Sequence, residues 1–183
     1  IDKDKEVVLF ASAQKGWGDD GRIAWELLAA GYKDVKMVDG GYAALKKAGL
    51  ETDIESTKLD PVDVKIDSID QTHIIRTDEL KKDYDDYKVV DVREDKEYKG
   101  DVMYGEAKGG HLPDAIQIKF TDLFKKDGKL KSKEEVTKSF EDAGLEKEDK
   151  IVTYGTAGIR SAYMELAMDM GGFKEEKTYD GSY

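Results

Sequence analysis

Short apolar runs alternate with amphipathic segments through most of the chain. The apolar runs at 7–10, 88–91, 115–118 and 151–154 have the length and composition of buried strands, and apolar residues at helical spacing follow several of them. Alternation of this kind is typical of a parallel sheet with helices on both faces. The pattern therefore predicts an α/β fold.

Three of the predicted helices carry an apolar face. One of them begins at a capping box, in which Ser132 and Glu135 each satisfy a backbone N–H group of the first turn. The side chains expected to face the core are Ile23, Leu27 and Ala30 in the first helix, Val136, Phe140 and Leu145 in and after the second, and Tyr163, Leu166, Ala167 and Met170 in the third.

The chain contains an internal repeat. Residues 31–42 align without a gap with residues 172–183, and each segment follows a strand, a polar loop and a helix. We therefore predict two homologous domains. Residues 1–50 form the C-terminal part of the first, which is incomplete, residues 51–72 are a linker containing Pro61, and residues 73–183 form the second. Both ends of the chain are expected to be truncated.

The composition disfavours two classes of binding partner, nucleic acids and membranes. The 183 residues include 41 Asp and Glu against 30 Lys and Arg, a net charge of −11, which disfavours a nucleic-acid partner. No apolar run approaches the roughly 18 residues of a membrane span, so no membrane partner is expected. The N-terminus carries no signal-peptide pattern, and the localisation stays unknown.

The absence of cysteine is the most consequential feature of the composition. It removes disulfides, thiolate metal ligands and thiol nucleophiles together. The chain has only two histidines, so we predict no metal site and no cofactor.

A glycine-rich loop follows the predicted strand at 151–154 and opens the last helix. Its residues are Gly155, Thr156, Ala157, Gly158, Ile159 and Arg160. Backbone N–H groups at a helix N-terminus favour an anion, and Arg160 would add a positive charge, so the loop could hold an oxyanion or an anionic sulfur. The alternative is a tight strand-to-helix turn without a ligand.

Several motifs in order resemble the tandem-domain rhodaneses, the thiosulfate and 3-mercaptopyruvate sulfurtransferase family. They are VVDVREDKEYKG at 89–100, GGHLPDAIQI at 109–118, AGLEKEDKIVTY at 143–154, the loop GTAGIR, and the DGG and DGS turns. The resemblance implies two rhodanese-like domains, of which the second carries the active loop. It also implies a small anionic sulfur donor and a cysteine persulfide at the first position of that loop.

The chain departs from the family at two positions of the site. Gly155 stands where the family has its nucleophilic cysteine, and Thr156 is no substitute. Glu97 stands where tandem sulfurtransferases usually carry a substrate-binding arginine, and its carboxylate is expected to repel an anionic donor. The family therefore predicts sulfur transfer, whereas the residues predict an inactive protein.

Three functional alternatives are considered, and two of them stay open. The first is a non-catalytic module that binds another oxyanion or a protein partner. The second is an active sulfurtransferase whose loop cysteine is either missing from this sequence, before Gly155, or replaced in it. The third, a phosphatase-like enzyme, fails because that chemistry needs a thiolate as well.

Four further polar residues are expected to be structural. Asp91 and Arg93 are predicted to form an internal ion pair that braces the end of the sheet. His111 in the GGHLPDA motif is predicted to be a hydrogen-bonded scaffold residue. Asp180 belongs to the DGS turn and corresponds to Asp39 of the first repeat.

Residues 16–21 match the dinucleotide-binding pattern G-x-G-x-x-G, but the context opposes NAD binding. Five residues separate Phe10 from Gly16, whereas the first glycine of a fingerprint lies at the end of its strand. Asp19 and Asp20 would face the pyrophosphate. We therefore expect a degenerate first-domain loop.

Overall fold

The computed structural model describes all residues from 1 to 183 and contains two parallel sheets. The N-terminal sheet has two strands, which pair Val7 with Val35 and Leu9 with Met37. Its elements are β1 (Val7–Leu9), α1 (Asp19–Ala29), β2 (Val35–Met37) and α2 (Gly41–Lys47). Residues 50–71 form neither helix nor strand.

The second sheet has five strands in the order β3-β7-β6-β4-β5, and every neighbouring pair is parallel. The α/β prediction is therefore confirmed. The elements are β3 (Ile74–Ile75), α3 (Thr77–Lys82), β4 (Lys88–Asp91), α4 (Asp95–Lys99), β5 (Ile116–Gln117), α5 (Lys133–Asp142), β6 (Lys150–Tyr154), α6 (Ile159–Gly171) and β7 (Glu175–Tyr179).

Helices cover both faces of the five-stranded sheet. On one face Val90 and Ile151 pack with α5 and α6, and on the other Val152 packs with Leu80 of α3. The capping box of Ser132 and Glu135 is confirmed, and Val136, Phe140 and Leu145 are buried as the sequence predicts. None of the helices is both long and apolar enough to cross a membrane.

Helix α1 packs closely against α6, and this contact explains the first-loop glycines. A Cβ at residue 21 would overlap the ring of Tyr163, and one at Gly18 would lie 2.9 Å from Phe120. Gly21 therefore permits the close approach of α1 to α6. Gly18 permits the close approach of the chain to Phe120 and to Tyr163, whose Cβ would lie 3.2 Å from a Cβ at Gly18.

The predicted inner face of α1 is wrong in part. Ile23 is 46% exposed, whereas Trp25 is 6% exposed. The reason is that the small residues Gly21 and Ala24, which permit close approach, turn toward α6. The apolar spacing that includes Ile23 therefore does not define the packed face.

Candidate functional site

The glycine-rich loop lies where β6 ends and α6 begins, at the carboxyl edge of the five-stranded sheet. Ligand sites of open α/β sheets form at this edge. Gly158 immediately precedes the helix with φ at +74°, a left-handed conformation that favours glycine. The C-terminal residue secures the loop, since the N–H of Tyr183 donates to the carbonyl of Gly155 at 3.0 Å.

The backbone N–H groups from Thr156 to Ser161 donate to no protein atom. They include the free N–H groups of the first turn of α6, which has 13 residues, so the positive end of the helix dipole adds to them. Unpaired donors of this kind form an anion-binding concavity. That an anion binds to these N–H groups stays a prediction.

Residue 155 has room for a side chain. Gly155 is buried, and its φ lies outside the left-handed region. A Cβ there would lie 3.6 Å from Val92 Cγ2 and 3.9 Å from the backbone nitrogen of Ser161, both ordinary contact distances. A side chain at this position would therefore be tolerated beside the free N–H groups of the loop.

Arg160 does not face an open anion pocket as a free charge. Its guanidinium forms a two-pronged ion pair with Glu97, with nitrogen–oxygen distances of 2.8 and 2.7 Å. Both side chains are buried, and the Thr156 hydroxyl donates to Glu97 at 2.8 Å. The expectation that Glu97 repels an anionic donor is therefore wrong, because Arg160 balances the charge of Glu97.

The electrostatics of Glu97 follow from this contact. Burial raises the pKa of Glu97, but the hydrogen bonds from Arg160, the Glu94 backbone and Thr156 outweigh it, so that the pKa is lowered. Glu97 also closes the capping box of α4 by accepting from the Glu94 N–H. An arginine at position 97 would oppose Arg160 and leave both guanidinium groups without this partner.

Glu97→Gln is expected to strengthen binding of sulfate or thiosulfate at the loop about fivefold at low ionic strength. The substitution removes one negative charge and leaves that of Arg160 uncompensated, which is worth roughly 1 kcal/mol for an anion at short range. Calorimetric titration measures the effect, and added salt should reduce it. Asp95→Asn, an exposed change on the same helix, is the control. Unchanged affinity in Glu97→Gln would show that Arg160 does not act on the anion.

The predicted ion pair between Asp91 and Arg93 is confirmed. Arg93 Nη2 lies 2.7 Å from Asp91 Oδ2, and both side chains are buried. Tyr154 donates to the same carboxylate at 2.6 Å, and burial followed by the charge of Asp91 raises the pKa of Tyr154 well above its usual value. The ring of Tyr183 stacks over Arg93 at 4.1 Å. This network braces the sheet behind the loop.

His111 and Asp180 have different neighbours, since His111 contacts Tyr98 whereas a Cβ at Gly158 of the loop would lie 2.8 Å from Asp180 Oδ1. His111 contacts the carbonyl of Tyr98 at 2.8 Å and stacks on its ring at 3.8 Å, which agrees with a scaffold role. Asp180 accepts from Arg22 at 2.7 Å. The structure thus places these two residues around the site.

Trp17 and Arg22 are site residues that the sequence analysis missed. The Arg160 guanidinium lies 4.8 Å from the Trp17 ring, and Arg22 donates to the carbonyl of Gly158 at 3.3 Å. Both come from the glycine-rich segment at 16–22, which is distant in sequence. Its correspondence to the loop at 155–160 in the repeat was the one signal that it lies beside the site.

Comparison with protein families finds one match. The model of the Rhodanese-like domain matches residues 76–183, which include the loop and the Asp91 network. The Sulfur carrier protein TtuD of Thermus thermophilus is 27% identical over the whole chain and 68% of that protein. A putative thiosulfate sulfurtransferase of Mycolicibacterium smegmatis is 29% identical over 87% of the chain.

The chain spans about 60% of the length of the Mycolicibacterium protein, and 61% of the human 3-mercaptopyruvate sulfurtransferase, which is 23% identical. Solved structures agree on the fold. The 3-mercaptopyruvate sulfurtransferase SseA of Escherichia coli superposes over the whole chain and 68% of its own, with a TM-score of 0.86 and 19% identity. A structure of EanB in complex with ergothioneine superposes on the whole chain and on 49% of its own length, with a TM-score of 0.87 and 21% identity.

Proposed function

Because the chain belongs to the family of rhodanese-like domains, we propose that it is a sulfurtransferase-type module that binds a small sulfur oxyanion but does not itself transfer sulfur. The proposed ligand class is thiosulfate or a related anion, in keeping with the names of the sulfurtransferase relatives. The donor and acceptor of the whole protein belong to the same proposal.

One observation carries this proposal. The N–H groups from Thr156 to Ser161 have no protein acceptor, and the buried Gly155 that precedes them has space for a side chain, with the Ser161 nitrogen 3.9 Å from a Cβ at that position. The site thus keeps the parts that stabilise an anion and lacks the group that attacks sulfur. An EanB structure contains a cysteine persulfide, which is the kind of intermediate that Gly155 precludes here.

No neighbouring side chain replaces the missing nucleophile. The Thr156 hydroxyl donates to Glu97, and Glu97 is held by Arg160, so neither group is free to activate the other. An alkoxide would in any case form no favourable persulfide analogue.

The division of the chain is part of the proposal. Residues 1–50 correspond to the C-terminal part of a first rhodanese-like domain, 51–72 to a linker and 73–183 to the second domain. In support, α1 and α6 each lie between two parallel strands, and both are followed by a glycine with φ near +86°.

Addition of thiosulfate is expected to shift the backbone amide resonances of residues 156–161 in a saturable way. The reason is that these N–H groups have no protein acceptor to displace. Two-dimensional ¹H–¹⁵N spectra of the whole chain, with chloride at equal ionic strength as the control, provide the measurement. Shifts confined to surface lysines would contradict the proposed site.

A further inference from the structure

A second polar cluster lies near the start of strands β3 and β7, at the end of the five-stranded sheet opposite the glycine-rich loop. It contains His73 just before β3, Glu165 in α6 and Glu176 in β7, and the donor atoms of the three side chains lie within 4.8 Å of one another. Glu176 pairs in register with Ile151, whose side chain packs against α5 and α6. Parallel neighbours point to the same face, so Glu176 points toward α6 and Glu165.

The two carboxylates of this cluster are buried, and each has one oxygen without a hydrogen-bond partner. Glu165 is 2% exposed and Glu176 is 3% exposed, yet Oε2 of each accepts no hydrogen bond. His73 Nδ1 lies 2.6 Å from Glu165 Oε1 but is not aligned for a hydrogen bond. Buried carboxylate oxygens that receive no hydrogen bond are suited to bind a cation.

A cavity of about 200 Å³ opens beside the cluster. Asp70 and Asp169 add carboxylates to its lining, and Trp25 and Leu28 of α1 form its apolar wall. The N–H of Asp70 also bonds to the carbonyl of Ala29 in α1 at 2.8 Å. The cluster therefore lies where α1, α6 and the start of β3 meet.

We propose that His73, Glu165 and Glu176 form a divalent transition-metal site, with Zn²⁺ as the preferred ion. One imidazole and two carboxylates are a donor set that suits zinc better than magnesium or calcium, which take oxygen ligands. Zinc ligands lie about 2.0–2.2 Å from the metal, so side-chain rotations that move each donor atom by about 1 Å would bring the three donors around one ion. A water molecule in the cavity would occupy the fourth position.

This assignment revises the expectation that two histidines are too few for a metal site. That expectation counted residue types and had no means of placing Glu165 and Glu176 beside His73. The proposed site is separate from the glycine-rich loop, so it is independent of the proposed sulfur-anion function.

Zinc titration of the chelator-treated whole chain tests the proposal. We expect one ion per chain by calorimetry, and a rise in Tm of about 5–10 °C at a hundredfold excess over Kd. Co²⁺ should give visible absorption bands of a low-symmetry site. Absence of binding at 100 μM metal, on the order of the weakest affinity useful for such a site, would overturn the proposal.

Matched variants locate the ion. His73→Gln and Glu176→Gln should each weaken zinc binding at least tenfold and, at the same zinc concentration, reduce the rise in Tm to about half or less. Glu175→Gln, the exposed neighbour on the same strand, and His111→Gln should leave both unchanged. The His73 side chain is 43% exposed, so His73→Gln should keep its fold, as circular dichroism will show, even if Glu176→Gln does not. Equal zinc affinity in wild type and His73→Gln would refute the site.

Discussion

Gly155→Cys is expected to raise the rate of thiocyanate formation from thiosulfate and cyanide at least about 100-fold above the wild type, which should not exceed background. The new side chain would enter the space beside Val92 and Ser161 without a steric clash. The free N–H groups and the N-terminus of α6 would lower the pKa of the thiol and hold it as a thiolate.

The expected reaction balances with the two substrates alone. The thiolate attacks the outer sulfur of thiosulfate, the sulfur–sulfur bond breaks, and sulfite leaves with the electron pair. Cyanide then attacks the outer sulfur of the persulfide, forms thiocyanate and releases the thiolate. Gly155→Ser, which adds a side chain of similar size without a thiolate, is the matched control. Equal activity of the serine and cysteine variants would exclude the persulfide route.

Asp91→Ala is expected to destabilise the protein by about 3–5 kcal/mol. The carboxylate accepts from Arg93 and Tyr154, and all three side chains are at most 1% exposed. Its removal leaves a buried guanidinium without a counter-charge, which is the costly way to break a buried ion pair. Urea unfolding followed by circular dichroism gives the free energy directly.

Two variants separate this effect from the loss of any carboxylate. Asp95→Ala removes an exposed partner of Lys119, 3.6 Å away, and should cost less than about 1 kcal/mol. Asp91→Ala combined with Arg93→Met should recover part of the lost stability, since no charge is then left unpaired. A double variant less stable than Asp91→Ala would show that the guanidinium finds another partner, of which the Gly110 carbonyl at 2.6 Å is the nearest.

Local patterns predicted the elements, and the structure explains why. Ser132 and Glu135 are three residues apart, so their capping box forms within one helical turn. Val136 and Phe140 share a helix face at a spacing of four residues, and both are fully buried. The loop at 155–160 could be predicted in the same way, because the first N–H groups of any helix lack a partner within the helix.

Contacts between distant residues were not predictable in the same way. Glu97 and Arg160 are 63 residues apart, and Arg22 and Asp180 are 158 apart. Charge patterns show that both signs are present but not which pairs meet. Glu97 was therefore interpreted as a lone carboxylate facing the donor, whereas tertiary packing turned it into the partner of Arg160.

Trp17 and Arg22 lie outside residues 76–183, yet they contact Arg160 and Gly158 of the loop. The residues that carry the family match are therefore not all the residues that shape the site. A substitution at Trp17 alters the surroundings of Arg160 while leaving every matched residue intact. A chain limited to residues 76–183 would lack both contacts, so segment 16–22 is part of the physical surroundings of the loop.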